Sequence, residues 1–317
     1  MAQFGFLTYL RLKLTVTLIR MIARVIAFSS RRRDKAIADE IDVQRRRVAI
    51  PSRDRGRFID ADFYYPPGHS ASSLATSKKP VLVNWHGSGF IIPMLGSDML
   101  FCSRMARDMG IIVIDADYRK APETPFPAAI QDVEDTLIWI AAQPGRFDLS
   151  RIAVSGFSAG ANLALVAASA VKKTLLDLTV PVVIAIYPVT DFTIAPDARA
   201  VPKPKSPLPP FMFRLFNDCY TPDVVSRKDP RVSPSKADTA DFPPTVAILT
   251  CEGDTLMPEA RDLANRLDDG KRKVVNLTLE DAHHGFDKGC KKGTHDWDLR
   301  EEAYGLSVKT LREALGL

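Results

Sequence analysis

After residue 43, short runs of β-branched and other apolar residues alternate with stretches whose apolar positions recur every three or four residues. The runs Arg47–Ile50, Arg57–Tyr65, Val81–Trp85, Ile111–Asp115, Ile152–Ser155, Val182–Tyr187, Val246–Thr250 and Val274–Leu279 predict strands. The helical spacing predicts helices over Asp98–Met109, Ala128–Ala142, Ala159–Val171, Pro258–Leu267 and Asp298–Leu315. Strands alternating with helices argue for an α/β protein with a mostly parallel central sheet flanked by helices. Runs such as IIVI and VVIAI are apolar at every position, as expected of strands covered on both faces.

Three stretches break this rhythm. Residues 4–28 are rich in Leu, Ile, Val, Phe and Met, but Arg11, Lys13, Arg20 and Arg24 interrupt them. No uncharged run reaches the ~20 residues of a spanning helix, and the recurring charges do not suit a signal peptide. At 100° per residue, Lys13, Thr17, Arg20 and Arg24 share one narrow stripe, which predicts a helix with a wide apolar face. That face is expected to pack on the protein's own body, with an anionic membrane surface as the alternative. Arg31, Arg32 and Arg33 read as a solvated helix end. Residues 68–79 are Ser-rich and aperiodic, a surface loop. Residues 191–244 hold 11 of the 23 prolines, which excludes long helices and central strands. So long a connection is expected to be a lid or binding loop, with a short aromatic-rich helix over Pro210–Tyr220.

Composition sharpens this picture. The 317 residues are 46% hydrophobic and 26% charged, within the range of globular domains. The four Cys (102, 219, 251, 290) show no metal-ligand or disulfide-framework spacing, so no metal is expected and a cytoplasmic location fits. The net charge of +5 is uneven. Residues 1–55 carry 13 basic and five acidic groups, and the remainder carries 30 basic and 33 acidic. A slightly acidic body with a basic arm does not present a nucleic-acid groove.

Candidate chemistry centres on Gly156-Phe157-Ser158-Ala159-Gly160, a G-x-S-x-G between a predicted strand and a predicted helix. The glycines permit the sharp turn that holds a nucleophilic serine above a sheet. A serine hydroxyl needs a base. His284 follows the last predicted strand, where such sheets carry their active groups. Asp254, after the strand VAILT, is the best carboxylate to orient it; Glu252 and Asp281 are fallbacks and His283 a neighbour. His86-Gly87-Ser88-Gly89-Phe90 follows the strand VLVNW and offers backbone N–H groups for an oxyanion. His86, Gly87, Ser88, Gly89 and Ala159 are therefore the candidate oxyanion and substrate-binding residues, with Ser88, Gly89 and Ala159 as donors. His86 stands before the nucleophile, the wrong order for the base.

These motifs resemble the hormone-sensitive-lipase branch of the α/β-hydrolases, which includes bacterial short-chain esterases and arylacetamide-deacetylase-like enzymes. The matching segments are HGSGF at 86–90, DADYRKAPETPFPAA at 115–129, GFSAGANLAL at 156–165, CEGDTL at 251–256 and HHGF at 283–286, in family order over about 200 residues. The resemblance implies a Ser158–Asp254–His284 triad in one α/β-hydrolase domain spanning 1–317. It also implies a cap over the active site, built from arm 1–43 and insertion 191–244. Tyr118, Arg119 and Glu123 are assigned by it to a supporting shell. Two positions depart from the family pattern. The usual HGGG reads HGSG, so the Ser88 side chain is expected to narrow the acyl pocket or add a donor. Phe157 stands where Asp is frequent.

The expected activity is a serine carboxylesterase acting on an apolar or aromatic ester through an acyl-enzyme, with no cofactor. Acyl transfer or lyase chemistry with the same residues, and a ligand receptor on the same fold, are the alternatives. The expected partner is a small-molecule ester; peripheral membrane contact through the arm and a homodimer are open options. Asn276-Leu277-Thr278 is a glycosylation sequon that is expected to be unused on a central strand.

Overall fold

The computed structural model describes residues 4–73, 78–175 and 177–317, so the centre of the predicted Ser-rich loop lies outside the described residues. Eight strands form one sheet: β1 (Gln44–Pro51), β2 (Phe58–Tyr65), β3 (Lys79–Trp85), β4 (Ile112–Ala116), β5 (Phe147–Phe157), β6 (Val182–Ile186), β7 (Thr245–Cys251) and β8 (Lys273–Leu279). Their spatial order is β1-β2-β4-β3-β5-β6-β7-β8. β2 runs antiparallel to β1 and β4; the other pairings are parallel. Alternation of side chains divides the interior into two cores. Along β6, Val182, Ile184 and Ile186 enter one core, and Val183 and Ala185 enter the other. This is why the β6 sequence is apolar at every position.

Helices α2 (Met99–Met109) and α7 (His295–Leu315) cover one face, through Phe101, Met105, Ala303, Tyr304 and Leu311. Helices α3 (Ala128–Ala141), α4 (Ala159–Val166) and α6 (Met257–Leu267) contribute to the other core. The predicted helix over Ala159–Val171 becomes a π-helical turn at Ala167–Val171. In the proline-rich insertion one α-helix forms, α5 (Pro210–Tyr220), which opens on Pro210 because a missing N–H costs nothing at that position. It is held inward by buried Phe213, Asn217, Cys219 and Tyr220, the last stacked on Phe90 with ring centroids 3.8 Å apart.

The N-terminal helix α1 (Phe6–Asp39) departs most from expectation. Its 34 residues span about 51 Å at 1.5 Å per residue. It runs past Phe28 because its inward stripe continues: Asp34 accepts a 2.7 Å bond from the Gly289 N–H and faces Arg300. Gly289 has φ +66°, and a Cβ there would meet the Ser30 Cβ at 2.3 Å. The helix packs inward on only part of its wide apolar face, through buried Leu12 and Val16; the rest of that face points out, while Lys13 and Arg20 of the cationic stripe reach the body and Arg24 of the same stripe stays exposed. Lys13 and Arg20 both reach Glu123, and Arg20 donates to the carbonyls of Ile91 (2.7 Å) and Ala121 (2.9 Å). The Glu123 carboxylate and the Ile91 and Ala121 carbonyls are acceptors that apolar side chains cannot satisfy, so Lys13 and Arg20 join Leu12 and Val16 in this contact. Arg31 and Arg33, expected in solvent, likewise donate to the carbonyls of Leu95 and Gly289.

A second correction concerns β8. It is an edge strand, and Asn276 is exposed, donating to Asn265 Oδ1 at 3.1 Å. Continuous Val and Leu made this strand look central, although only Leu279 is fully buried.

Candidate active site

Ser158 is the single residue between the end of β5 and the start of α4, and it has φ +52° and ψ −117°. Few residues with a side chain adopt such a backbone, and here its neighbours impose it. A Cβ on Gly156 would lie 2.3 Å from the carbonyl of Gly160, and a Cβ on Gly160 would lie 1.8 Å from the carbonyl oxygen of Trp85. Both positions therefore require glycine for the strand and helix to meet. The Ser158 N–H is held by the carbonyl of Ile186 at 2.9 Å.

Two loops at the carboxyl end of the sheet complete the group. His284, beyond β8, places Nε2 3.0 Å from Ser158 Oγ and Nδ1 2.7 Å from Asp254 Oδ2. Asp254, beyond β7, is buried and accepts the Leu256 N–H on its other oxygen. A carboxylate beside Nδ1 places the imidazole proton there and leaves the Nε2 lone pair toward the serine hydroxyl. Burial alone pulls the His284 pKa down; the charge and hydrogen bond of Asp254 outweigh this and hold it above the ordinary 6.5. The fallback acids lie elsewhere: Glu252 accepts the Asp281 N–H, and Asp281 pairs with Lys205. His283 faces Asp296 rather than the serine.

The candidate oxyanion residues divide. Gly87, Ser88 and Gly89 line the space at Ser158, and Ala159 lines its far side. A Cβ on Gly87 would sit 3.3 Å from the Ser158 Cβ, so this backbone passes close to Ser158. The Ser88 hydroxyl is engaged elsewhere. It accepts the Phe90 N–H at 2.9 Å and lies 2.5 Å from Tyr118 Oη, which itself donates to the carbonyl of His86. The Ser88 hydroxyl therefore braces the loop rather than adding a donor at Ser158, while Ser88 itself remains in the wall of the space beside it. His86 also departs from its candidate role. It is fully buried, stacks on Tyr118 and faces Asp117 Oδ1 through Nε2 at 3.0 Å. It positions the loop from behind.

Two unequal cavities meet at Ser158. One, about 30 Å³, is lined by Phe90, Ala159, Phe192, Phe213, Phe216 and Leu256. The other, about 250 Å³, reaches His284, Gly285, Ile92, Met94 and Ala23 of α1. Phe216 of α5 borders both, and a Cβ on Gly89 would touch its ring at 2.7 Å. The Phe-rich helix was legible in the sequence; two charged groups were not. Arg199 borders the smaller cavity, pairs with buried Glu259 and lies over the Phe213 ring. Burial pushes the Glu259 carboxyl up to about 7, even against the pull of Arg199. Lys288 borders the larger cavity and bridges Asp98 and Asp287, each at 2.8 Å. Its ammonium lies 3.7 Å from the Phe157 ring centroid, so an aromatic face stands beside Ser158 where Asp is frequent in the family. Neither residue has a periodicity or motif that announces it.

The comparisons with known proteins agree with this architecture. A family model described as alpha/beta hydrolase fold matches residues 82–288. An ethyl acetate hydrolase of Pseudomonas putida is 27% identical over 242 residues, covering 75% of this chain and 74% of that protein. The carboxylic ester hydrolase LipN of Mycobacterium tuberculosis is 30% identical over 240 residues, 72% of this chain; the match spans 61% of its own length. The solved structure of EstE1, a thermostable carboxylesterase cloned from a metagenomic library, superposes with a TM-score of 0.77 at 27% identity. It covers 95% of this chain and 97% of that one. With its eight-stranded, mostly parallel sheet and these relatives, the chain belongs to the hormone-sensitive-lipase-like branch of the alpha/beta hydrolase fold family and is a hydrolase of carboxylic ester bonds.

Proposed function

We propose that Ser158 is the nucleophile of a carboxylesterase that takes a short acyl group and a larger apolar or aromatic alcohol. Ser158 Oγ attacks the ester carbonyl while His284 Nε2 accepts its proton. Asp254 holds the imidazole tautomer and stabilises the imidazolium. Backbone N–H groups of Ser88, Gly89 and Ala159 receive the tetrahedral oxyanion. The imidazolium then protonates the departing alcohol, and water, activated by the same base, hydrolyses the acyl-enzyme. The arm 1–43 and the insertion 191–244 act together as the cap.

The unequal cavities carry the substrate assignment. The leaving alcohol must lie near His284, which protonates it, and His284 borders the larger space only. The smaller space is then the acyl slot. At about 30 Å³ it offers roughly the room of one or two water-sized groups, which suits acetyl or propionyl. The larger space, at about 250 Å³, lies close to the lower end of the ~300–1,000 Å³ of small-molecule sites. A series of p-nitrophenyl esters tests this. Their kcat/KM is expected to fall by at least about tenfold, or 1.4 kcal/mol, from acetate to octanoate. A flat or rising series would remove the short-acyl assignment, and absence of hydrolysis throughout would remove the esterase mechanism. Among the partner options, the outward apolar face of α1 supports membrane contact.

A further inference from the structure

We infer that the outer face of α1 docks on an anionic lipid surface and sets the larger cavity to receive esters of lipophilic alcohols dissolved in that surface. Docking stands on its own observations; the substrate class rests on the esterase reading above. Leu7, Leu14, Leu18, Met21, Val25 and Phe28 are 52–78% exposed and recur at helical spacing on the side opposite buried Leu12 and Val16. Leu10, Ile22 and Ile26 widen the band. An exposed apolar face of this extent on a soluble fold marks an interaction site.

Charge selects the occupant. Residues 4–33 contain no Asp or Glu. The exposed Arg24 flanks the apolar band, Arg11 stands within it and Arg32 follows its C-terminal end, and among the described residues none of the three has an ion-pair partner. A second copy laid along this face would bring cation toward cation with no acid to offset them. Parallel pairing sets Arg11 on Arg11, and antiparallel pairing about Met21 sets Arg11 near Arg32. Anionic headgroups complement the same arginines while the apolar side chains enter the acyl boundary. No described helix is long and apolar enough to cross a membrane, so the geometry points to a helix lying in the interface.

The opposite side of α1 connects this face to the site. Arg20 and Lys13 clamp it to Glu123, and Ala23 borders the larger cavity. The Glu123 carboxyl is half-buried, which would raise its pKa, but these cations push it down to about 2, so the clamp persists over the physiological range. Docking the outer face therefore brings the alcohol side of the site within one helix thickness of the lipid.

The test is co-sedimentation of the full chain with phosphatidylcholine vesicles and with equimolar phosphatidylcholine–phosphatidylglycerol vesicles. Binding to the anionic vesicles at low salt is expected, weakened at least about tenfold by high salt, which collapses the screening length. The Leu14→Glu/Val25→Glu variant is expected to lose binding at least about tenfold, since two apolar side chains leave the acyl boundary and two carboxylates face anionic headgroups. It should keep wild-type turnover of soluble p-nitrophenyl acetate without vesicles, which reads the esterase separately. Dodecyl acetate carried in the anionic vesicles should turn over several-fold faster with wild type than with the variant. Absence of wild-type binding at low salt would overturn docking, as would equal binding by the variant. Sedimentation velocity showing a dimer that the variant dissolves, with no vesicle binding, would assign the face to a second copy and also overturn it. Docking without any rate advantage on dodecyl acetate would overturn the substrate class alone.

Discussion

Ser158 and His284 stand 126 residues apart in the chain, and their contact depends on a few atoms at a time. In the proposed mechanism neutral His284 takes the serine proton. Its pKa sits above 6.5 because the Asp254 interactions outweigh the downward pull of burial. The acid limb of kcat/KM is therefore expected above pH 6.5, with activity lost as the pH falls through it. The stability from this pair has the opposite sense: present in full below pH 6.5, it is lost as pH rises through the folded pKa. Asp254→Asn should move the acid limb down and cut kcat about 10⁴-fold, through the wrong tautomer. A wild-type limb below pH 6 would contradict the pairing. Phe216 tests the cavity division. Phe216→Ala should join the two spaces and raise the octanoate-to-acetate ratio of kcat/KM at least about tenfold, or 1.4 kcal/mol; an unchanged ratio would show that another wall limits the acyl group. At Gly160 the clash with Trp85 involves backbone, so Gly160→Ala is expected to abolish folding to the native state, read by near-ultraviolet circular dichroism.

Elements meet through charged groups as much as through apolar ones. Lys288, beyond β8, joins Asp98 at the start of α2 to Asp287, which also accepts bonds from Tyr187 and Tyr304 of α7. Lys288→Met would leave two buried carboxylates without their cation. A loss of about 3–5 kcal/mol is expected in urea denaturation, the range for breaking one side of a buried ion pair. A loss below 1 kcal/mol would mean that the tyrosines alone satisfy Asp287. These contacts were silent in the sequence because a lone Lys or Asp in a loop carries no period. The strands were legible for the opposite reason: burial on both faces forces a continuous β-branched run, as in VVIAI of β6. The same rule misplaced β8, whose apolar run lies at the sheet edge. α1 was legible as an amphipathic helix but not in its orientation. Periodicity fixes which residues share a face, and the acceptors that draw Lys13 and Arg20 to the body, Glu123 and the carbonyls of Ile91 and Ala121, lie about 70 to 110 residues away.

For the whole molecule, the sheet supplies a rigid platform, and the site is assembled from loops at its carboxyl end between α1 and α5. The G-x-S-x-G string and the order Ser158, Asp254, His284 were readable because this chemistry requires those residue types after successive strands. The division of the space above them was not readable, since it arises where Phe216 packs against Gly89. Surface charge follows part of this layout: every charged residue between 4 and 33, along most of α1, is basic, which fits a helix that meets anionic lipid on its outer side. The central claim, that Ser158 carries the acyl group, is tested most directly by the kcat of Ser158→Ala on p-nitrophenyl acetate, with folding verified by its thermal melt. A loss of at least about 10³-fold with an unchanged melt is expected, since the remaining oxyanion donors supply only residual catalysis. A folded variant that retains a rate within about tenfold of wild type, a difference of 1.4 kcal/mol, would contradict the account.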